Sequence, residues 1–203
     1  MKTTTKFWKL LPVAAAALAL GGCGGGGSGN DDSDTPPSSG SIIDCFTANK
    51  TVSFSVSTSN APSGLIFPSR STTGAMIYNG QSVTGQTFFY LSGNTTYTES
   101  TYWTISNNGV TFAAEVDYNG VSAVDGTFLP QNMNPGQTAT NSSNVTTTFV
   151  GFETVSLAGK TFSNTCHLKV VDQGDQGDGW YAPGYGMIKR IENGVTSQYS
   201  GDL

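Results

Sequence analysis

From Ile42 onward, apolar and polar residues alternate with period two along most of the chain, and helical spacing is nearly absent. Val52, Phe54 and Val56 alternate with Ser and Thr, which predicts a strand with one apolar face. Gly74 to Tyr78 predicts a second strand, ending at Asn79-Gly80, a pair that favours a type I′ hairpin because both positions tolerate positive φ. Thr87 to Leu91 is an unbroken apolar run and predicts a strand buried on both faces. Thr101 to Ser106 and Val110 to Tyr118 flank Asn107-Asn108-Gly109, and Asn119-Gly120 turns into Val121 to Val124, so a meander of antiparallel strands is expected here. A Pro-punctuated loop from Phe128 to Gly136 is followed by strand signals from Asn144 to Val155.

Thr161 to Val171 alternates Phe162, Cys166, Leu168 and Val170 with polar residues. Asp172 to Gly179 (DQGDQGDG) reads as an acidic connector, Trp180 to Arg190 as the next strand, and Asn193-Gly194 as the turn into a last strand from Val195 to Tyr199. The pattern predicts an all-β fold of roughly nine to eleven strands, a single antiparallel β-sandwich or partly open β-barrel spanning 42–203.

The first residues follow a different logic. Lys2, Lys6 and Lys9 precede an apolar core from Leu10 to Leu20, about half of the ~20 residues a membrane-spanning helix needs. The segment ends Leu20-Gly21-Gly22-Cys23, which resembles the bacterial lipobox. That resemblance implies a lipoprotein signal peptide over 1–22, a diacylglyceryl group on the Cys23 thiol and acylation of the new amino group. Several acyl chains together hold a protein at a membrane durably, at about 0.8 kcal/mol per buried methylene. Gly24, in place of an aspartate, favours the outer membrane, facing either the periplasm or the exterior. With Cys23, residues 24–41 form a flexible Gly/Ser/Asp tether.

Loss of the leader removes three of nine basic residues and none of fourteen acids, leaving six bases against fourteen acids, a formal charge of −8. A chain this acidic has no basic face with which to neutralise phosphates, so nucleic acid is excluded as a partner. With Cys23 lipidated, Cys45 and Cys166 remain in an oxidising compartment, and a disulfide between them is expected.

Ala158-Gly159-Lys160-Thr161-Phe162, Cys166 and Trp180-Tyr181-Ala182-Pro183-Gly184-Tyr185-Gly186-Met187-Ile188-Lys189 together resemble a pattern in the TapB-like family of exported bacterial proteins, many of them lipoproteins. The resemblance covers about the last 50 residues. It implies an extracytoplasmic β-rich domain and brings no established activity.

Candidate chemistry is sparse. Trp103, Trp180, Tyr181 and Tyr185 offer large apolar area with polar tips and are the candidate ligand-binding residues at the rim of a cleft. Asp172, Asp175 and Asp178, spaced by three, are candidate ligands for a hard cation such as calcium, although the spacing departs from the EF-hand pattern. His167, the only histidine, falls on the strand face opposite Cys166 and is expected to be solvent-exposed. Glu115 and Asp117 share one strand face, at i and i+2, and read as a solvated face. No catalytic residues and no cofactor are assigned. The expected role is a non-catalytic envelope module, binding a small apolar ligand or an envelope protein. The alternatives are a structural lipoprotein without a cavity, or an envelope hydrolase, which would need clustered carboxylates in a cleft.

Overall fold

In a computed structural model, the described residues are 40–203 except 118, 121 and 173, with the side chains of 122 and 124 also outside the description. The leader, Cys23 and most of the tether therefore lie outside the described residues.

The fold is all-β and antiparallel: two meanders of six strands each, joined by pairing of the first strand with the last. The first comprises β1 (Val52–Ser59), β2 (Pro68–Tyr78), β3 (Gln81–Ser92), β4 (Thr95–Ser106), β5 (Gly109–Val116) and β6 (Ser122–Val124). A short β7 (Phe128–Pro130) pairs with β5 and leads to the second meander. That one comprises β8 (Thr138–Thr140), β9 (Thr146–Leu157), β10 (Lys160–Asp172), β11 (Asp175–Ala182), β12 (Gly186–Glu192) and β13 (Val195–Asp202). The order β6-β5-β4-β3-β2-β1-β13-β12-β11-β10-β9-β8 makes one sheet that rolls up into a nearly closed barrel. Its two ends, β6 and β8, are bridged by side chains: Asn141 Nδ2 donates to Asp125 Oδ1 at 2.8 Å.

The tight turns follow from their residues. Asn79-Gly80 and Asn193-Gly194 have φ of 49° and 75°, and 49° and 78°, so both central positions are left-handed as a type I′ turn requires.

One end of the barrel is plugged by α1 (Ile42–Phe46). Ser41 caps it, accepting a hydrogen bond from Ile43 N at 3.3 Å, while Asp44 reaches back to Ser41 N. Ile42, Cys45 and Phe46 form its buried face, at i, i+3 and i+4. The Phe46 ring lies 4.7 Å from that of Tyr181, 5.3 Å from Phe112 and 5.6 Å from Trp103, and its carbonyl accepts from Trp103 Nε1 at 2.8 Å. Cys45 is joined to Cys166 of β10 by a disulfide, Cα to Cα 5.9 Å. A second apolar cluster, with Phe54, Phe162, Ile188 and Tyr199, forms where the far end of the β9–β10 hairpin meets β1, β12 and β13.

Three expectations are corrected. Thirteen strands replace roughly nine to eleven, because β7 and β8 are three-residue strands inside apparent loop. Cys45 sits on a helix, α1, in a chain whose spacing from Ile42 onward predicts almost none. The Thr87–Leu91 run is buried on one face: Phe88 and Tyr90 point in, while Leu91 is 59% exposed.

Candidate functional site

Above the α1 plug, β3, β4 and β5 on one side and β10, β11 and β12 on the other enclose a cavity of about 300 Å3. Register sets its levels. Phe112, Tyr181 and Met187 form the floor next to α1. Leu168, Gly179 and Arg190 stand side by side on β10, β11 and β12, and Val170, Gly177 and Glu192 form the next row. Asp172 follows at the rim. β11 presents glycine at two successive inward positions, 177 and 179, where ordinary alternation would place two side chains. The Tyr181 ring folds over one of them: a Cβ on Gly179 would stand 3.1 Å from it.

The cavity is strongly acidic. Glu99, Glu115, Asp117, Asp125, Asp172 and Glu192 line it against one cation, Arg190; Asp178 also borders it, with its carboxylate turned to His167. Tyr90 O–H donates to Glu99 Oε2 at 2.6 Å, and Glu99 is in turn hydrogen-bonded to Glu115. Arg190 Nε lies 3.7 Å from Glu192 Oε2. Asp125 accepts from Thr127 N at 3.0 Å and from Asn141. Burial, then the charge of Glu99 and the hydrogen bond with it, push the Glu115 carboxyl up to about 8, against the pull of Arg190. Burial raises the Glu192 carboxyl and the phenols of Tyr90 and Tyr181 as well.

The raised Glu115 has a consequence for stability. The folded state holds this proton more tightly than the unfolded chain, so its contribution is full below about 4.5 and is lost as pH rises through about 8. Glu115→Gln removes the cost of ionisation. The variant is expected to exceed the wild type in urea stability by about 1–2 kcal/mol near pH 9 and to match it near pH 4. Equal stabilities at both pH values would place Glu115 in an ordinary solvated setting.

Comparisons with known proteins add little to this geometry. No family model matches the chain, and a search of curated proteins finds no match. Among solved structures, the chain is similar to a Bacteroides fragilis protein described as exported, with a YmcC-like fold. The TM-score is 0.44 and the identity 13%, over 78% of this chain and 98% of that one. At that level of likeness nothing about activity, ligand or location passes from one protein to the other.

The residues singled out in the sequence are dispersed. Of the four aromatic candidates, only Tyr181 lines the cavity. Trp103 is fully buried, bonded to the Phe46 carbonyl. Trp180 faces the opposite side of the sheet, where its ring stacks on His167 at 4.2 Å and lies under Lys189 Nζ at 4.2 Å. Tyr185 belongs to the second apolar cluster, between Phe54 and Phe162, with hydrogen bonds to Lys160 and Asp202.

Asp172, Asp175 and Asp178 do not converge. Asp172 and Asp175 pair across the β10–β11 turn, while Asp178 turns outward to His167 Nε2 at 2.8 Å. Among the described residues no group of three His, Cys, Asp or Glu is arranged to hold a metal ion. The supposed connector is strand β11. His167 is not the exposed residue expected: its side chain is 13% exposed and its Nδ1 meets Glu153 Oε1 at 2.7 Å.

What sequence reasoning missed is the acidic lining itself. Glu115 and Asp117 were legible as one strand face, but only the roll of the sheet turns that face inward and brings Glu99, Asp125 and Glu192 to it.

Proposed function

We propose that this chain is an envelope lipoprotein, anchored through Cys23 at the outer membrane and tethered by residues 24–41, whose barrel binds a small molecule without chemically altering it. The observation that carries this reading is the cavity of about 300 Å3 between β3–β5 and β10–β12, at the lower end of the range for small-molecule sites. A barrel serving only as scaffold is filled by its own side chains, whereas this one sets glycines where side chains would fill it. The Cys45–Cys166 disulfide is consistent with an oxidising compartment.

The clustered carboxylates favour a second reading, an envelope hydrolase. Against it, Glu99 and Glu115 are hydrogen-bonded to one another. The two carboxyl groups of a glycosidase stand about 5–9.5 Å apart, with the scissile bond between them. Glu99 is also held by Tyr90, which suits a fixed recognition surface better than a proton relay.

A thermal-shift screen over cationic, neutral and anionic small molecules tests the binding reading. At least one class is expected to raise the melting temperature by about 5 °C or more at saturation. Val170→Trp, which drives an indole into the cavity, is expected to abolish that rise while the variant remains folded. If no class stabilises the wild type, or if Val170→Trp responds equally, the cavity is not a binding site.

A further inference from the structure

We infer that the ligand of the barrel cavity is an organic cation, an ammonium group carried on an apolar body. This rests on the binding reading above and adds to it the chemical class of the ligand. Two independent features converge. One is the sign of the lining: six acidic residues, besides the outward-turned Asp178, share it with a single guanidinium, which already lies against Glu192. A partly enclosed site of one sign concentrates ligands of the other sign and rejects anions. The other is the shape and chemistry of the space. Its floor of Phe112, Tyr181 and Met187, with Leu168 just above, is apolar, and its volume far exceeds that of an ion.

A metal ion suits neither feature. Among the described residues no three acidic, histidine or cysteine side chains are set to hold one, and the apolar floor would be left without a partner. A neutral apolar ligand would fill the floor but leave the carboxylates crowded together. An alkyl- or arylammonium satisfies both halves, its hydrocarbon against the floor and its charge among Glu99, Glu115 and Asp125.

Proton release is the signature of this arrangement. The groups facing Glu115 are Glu99 on β4, Asp125 after β6, Tyr181 on β11 and Arg190 on β12. Three of these four oppose or do nothing for its ionisation, and only Arg190 favours it. A second cation beside Glu115 favours the carboxylate further, so binding near neutral pH expels a proton from the site.

Calorimetry with three six-carbon probes of matched length tests the inference: hexamethylenediamine, hexamethylene glycol and adipate. The diamine is expected to bind saturably, with affinity that falls as salt rises, and at least about tenfold more tightly than the glycol. Adipate is expected not to bind. Repeating the diamine titration in buffers of different ionisation enthalpy is expected to reveal release of a fraction of a proton. Glu115→Gln is expected to abolish that release and weaken binding about tenfold, with an unchanged circular dichroism spectrum confirming that it folds. Should Glu115→Gln fail to fold, Val170→Trp serves as the site-blocked control and is expected to lose diamine binding.

Glycol binding as tight as the diamine, or any adipate binding, overturns the inference. So does diamine binding that is indifferent to both substitutions. If the diamine fails while another class raises the melting temperature in the screen, the binding reading stands and the cationic ligand does not. If nothing binds, both fall.

Discussion

Replacing Cys45 and Cys166 together by alanine lowers stability to denaturant by about 4–5 kcal/mol. The bridge spans a sequence separation of 121 residues, and closing a loop of that length raises the free energy of the unfolded ensemble by roughly this much in the chain-entropy model. The native state is affected as well. A helix of five residues has no independent stability, so α1 stays docked through its apolar face, its disulfide and hydrogen bonds from Ile42 N to the Gln131 carbonyl and from Trp103 Nε1 to the Phe46 carbonyl. Without the bridge, α1 frays from the barrel end, the Phe46 carbonyl leaves Trp103 Nε1, and the floor of the cavity opens to water. Guanidinium titration followed by tryptophan fluorescence reads both effects, as a lower midpoint and a solvent-shifted emission before the main transition. A variant with the wild-type midpoint and emission would mean that packing alone holds α1.

Gln86→Leu lowers stability by about 3–5 kcal/mol, although leucine is of similar size. Gln86 is 1% exposed and pins β3 to β12 across the barrel interior. Its Nε2 donates to Ser71 Oγ at 2.8 Å and to the Met187 carbonyl at 2.9 Å, and its Oε1 accepts from Met187 N at 2.7 Å. Leucine leaves these groups buried without partners, at about 1–3 kcal/mol each. The neighbouring Gly186 shows how tightly the pin is seated. It has φ of 70°, and a Cβ there would stand 2.7 Å from Gln86 Oε1 and 2.9 Å from Thr73 Oγ1. Equilibrium unfolding in urea checks the loss; a change below about 1 kcal/mol would mean that water or a shifted backbone satisfies Met187 in place of Gln86.

The legibility of this fold in its sequence divides along physical lines. Strand identity and hairpin position are local properties, so Val52, Phe54 and the Asn79-Gly80 and Asn193-Gly194 turns read correctly. The meander from β4 to β6 was legible for the same reason. α1 was missed, although Ser41 and Asp44 form a capping box and Ile42, Cys45 and Phe46 share one helical face. Five residues are too few for a periodic signal to outweigh the β pattern around them. β11 was missed because Asp and Gly are turn residues in isolation. In Gln176 to Gly179 the two faces alternate, Gln176 and Asp178 outward and Gly177 and Gly179 inward, and that alternation keeps side chains out of the cavity. The dispersal of Trp103, Trp180 and Tyr185 has a similar origin. Which face of a strand looks into the cavity depends on bulges such as the one between Trp180 and Tyr181, and on closure by strands remote in sequence.

The most direct test is the crystal structure of the disulfide-bonded domain grown with hexamethylenediamine. The predicted result is an extended diamine between β3–β5 and β10–β12, its methylenes against Phe112 and Tyr181 and one ammonium within hydrogen-bond distance of Glu115 or Asp125. A cavity holding only water at saturating diamine, or strands packed together with no space between them, would contradict the account.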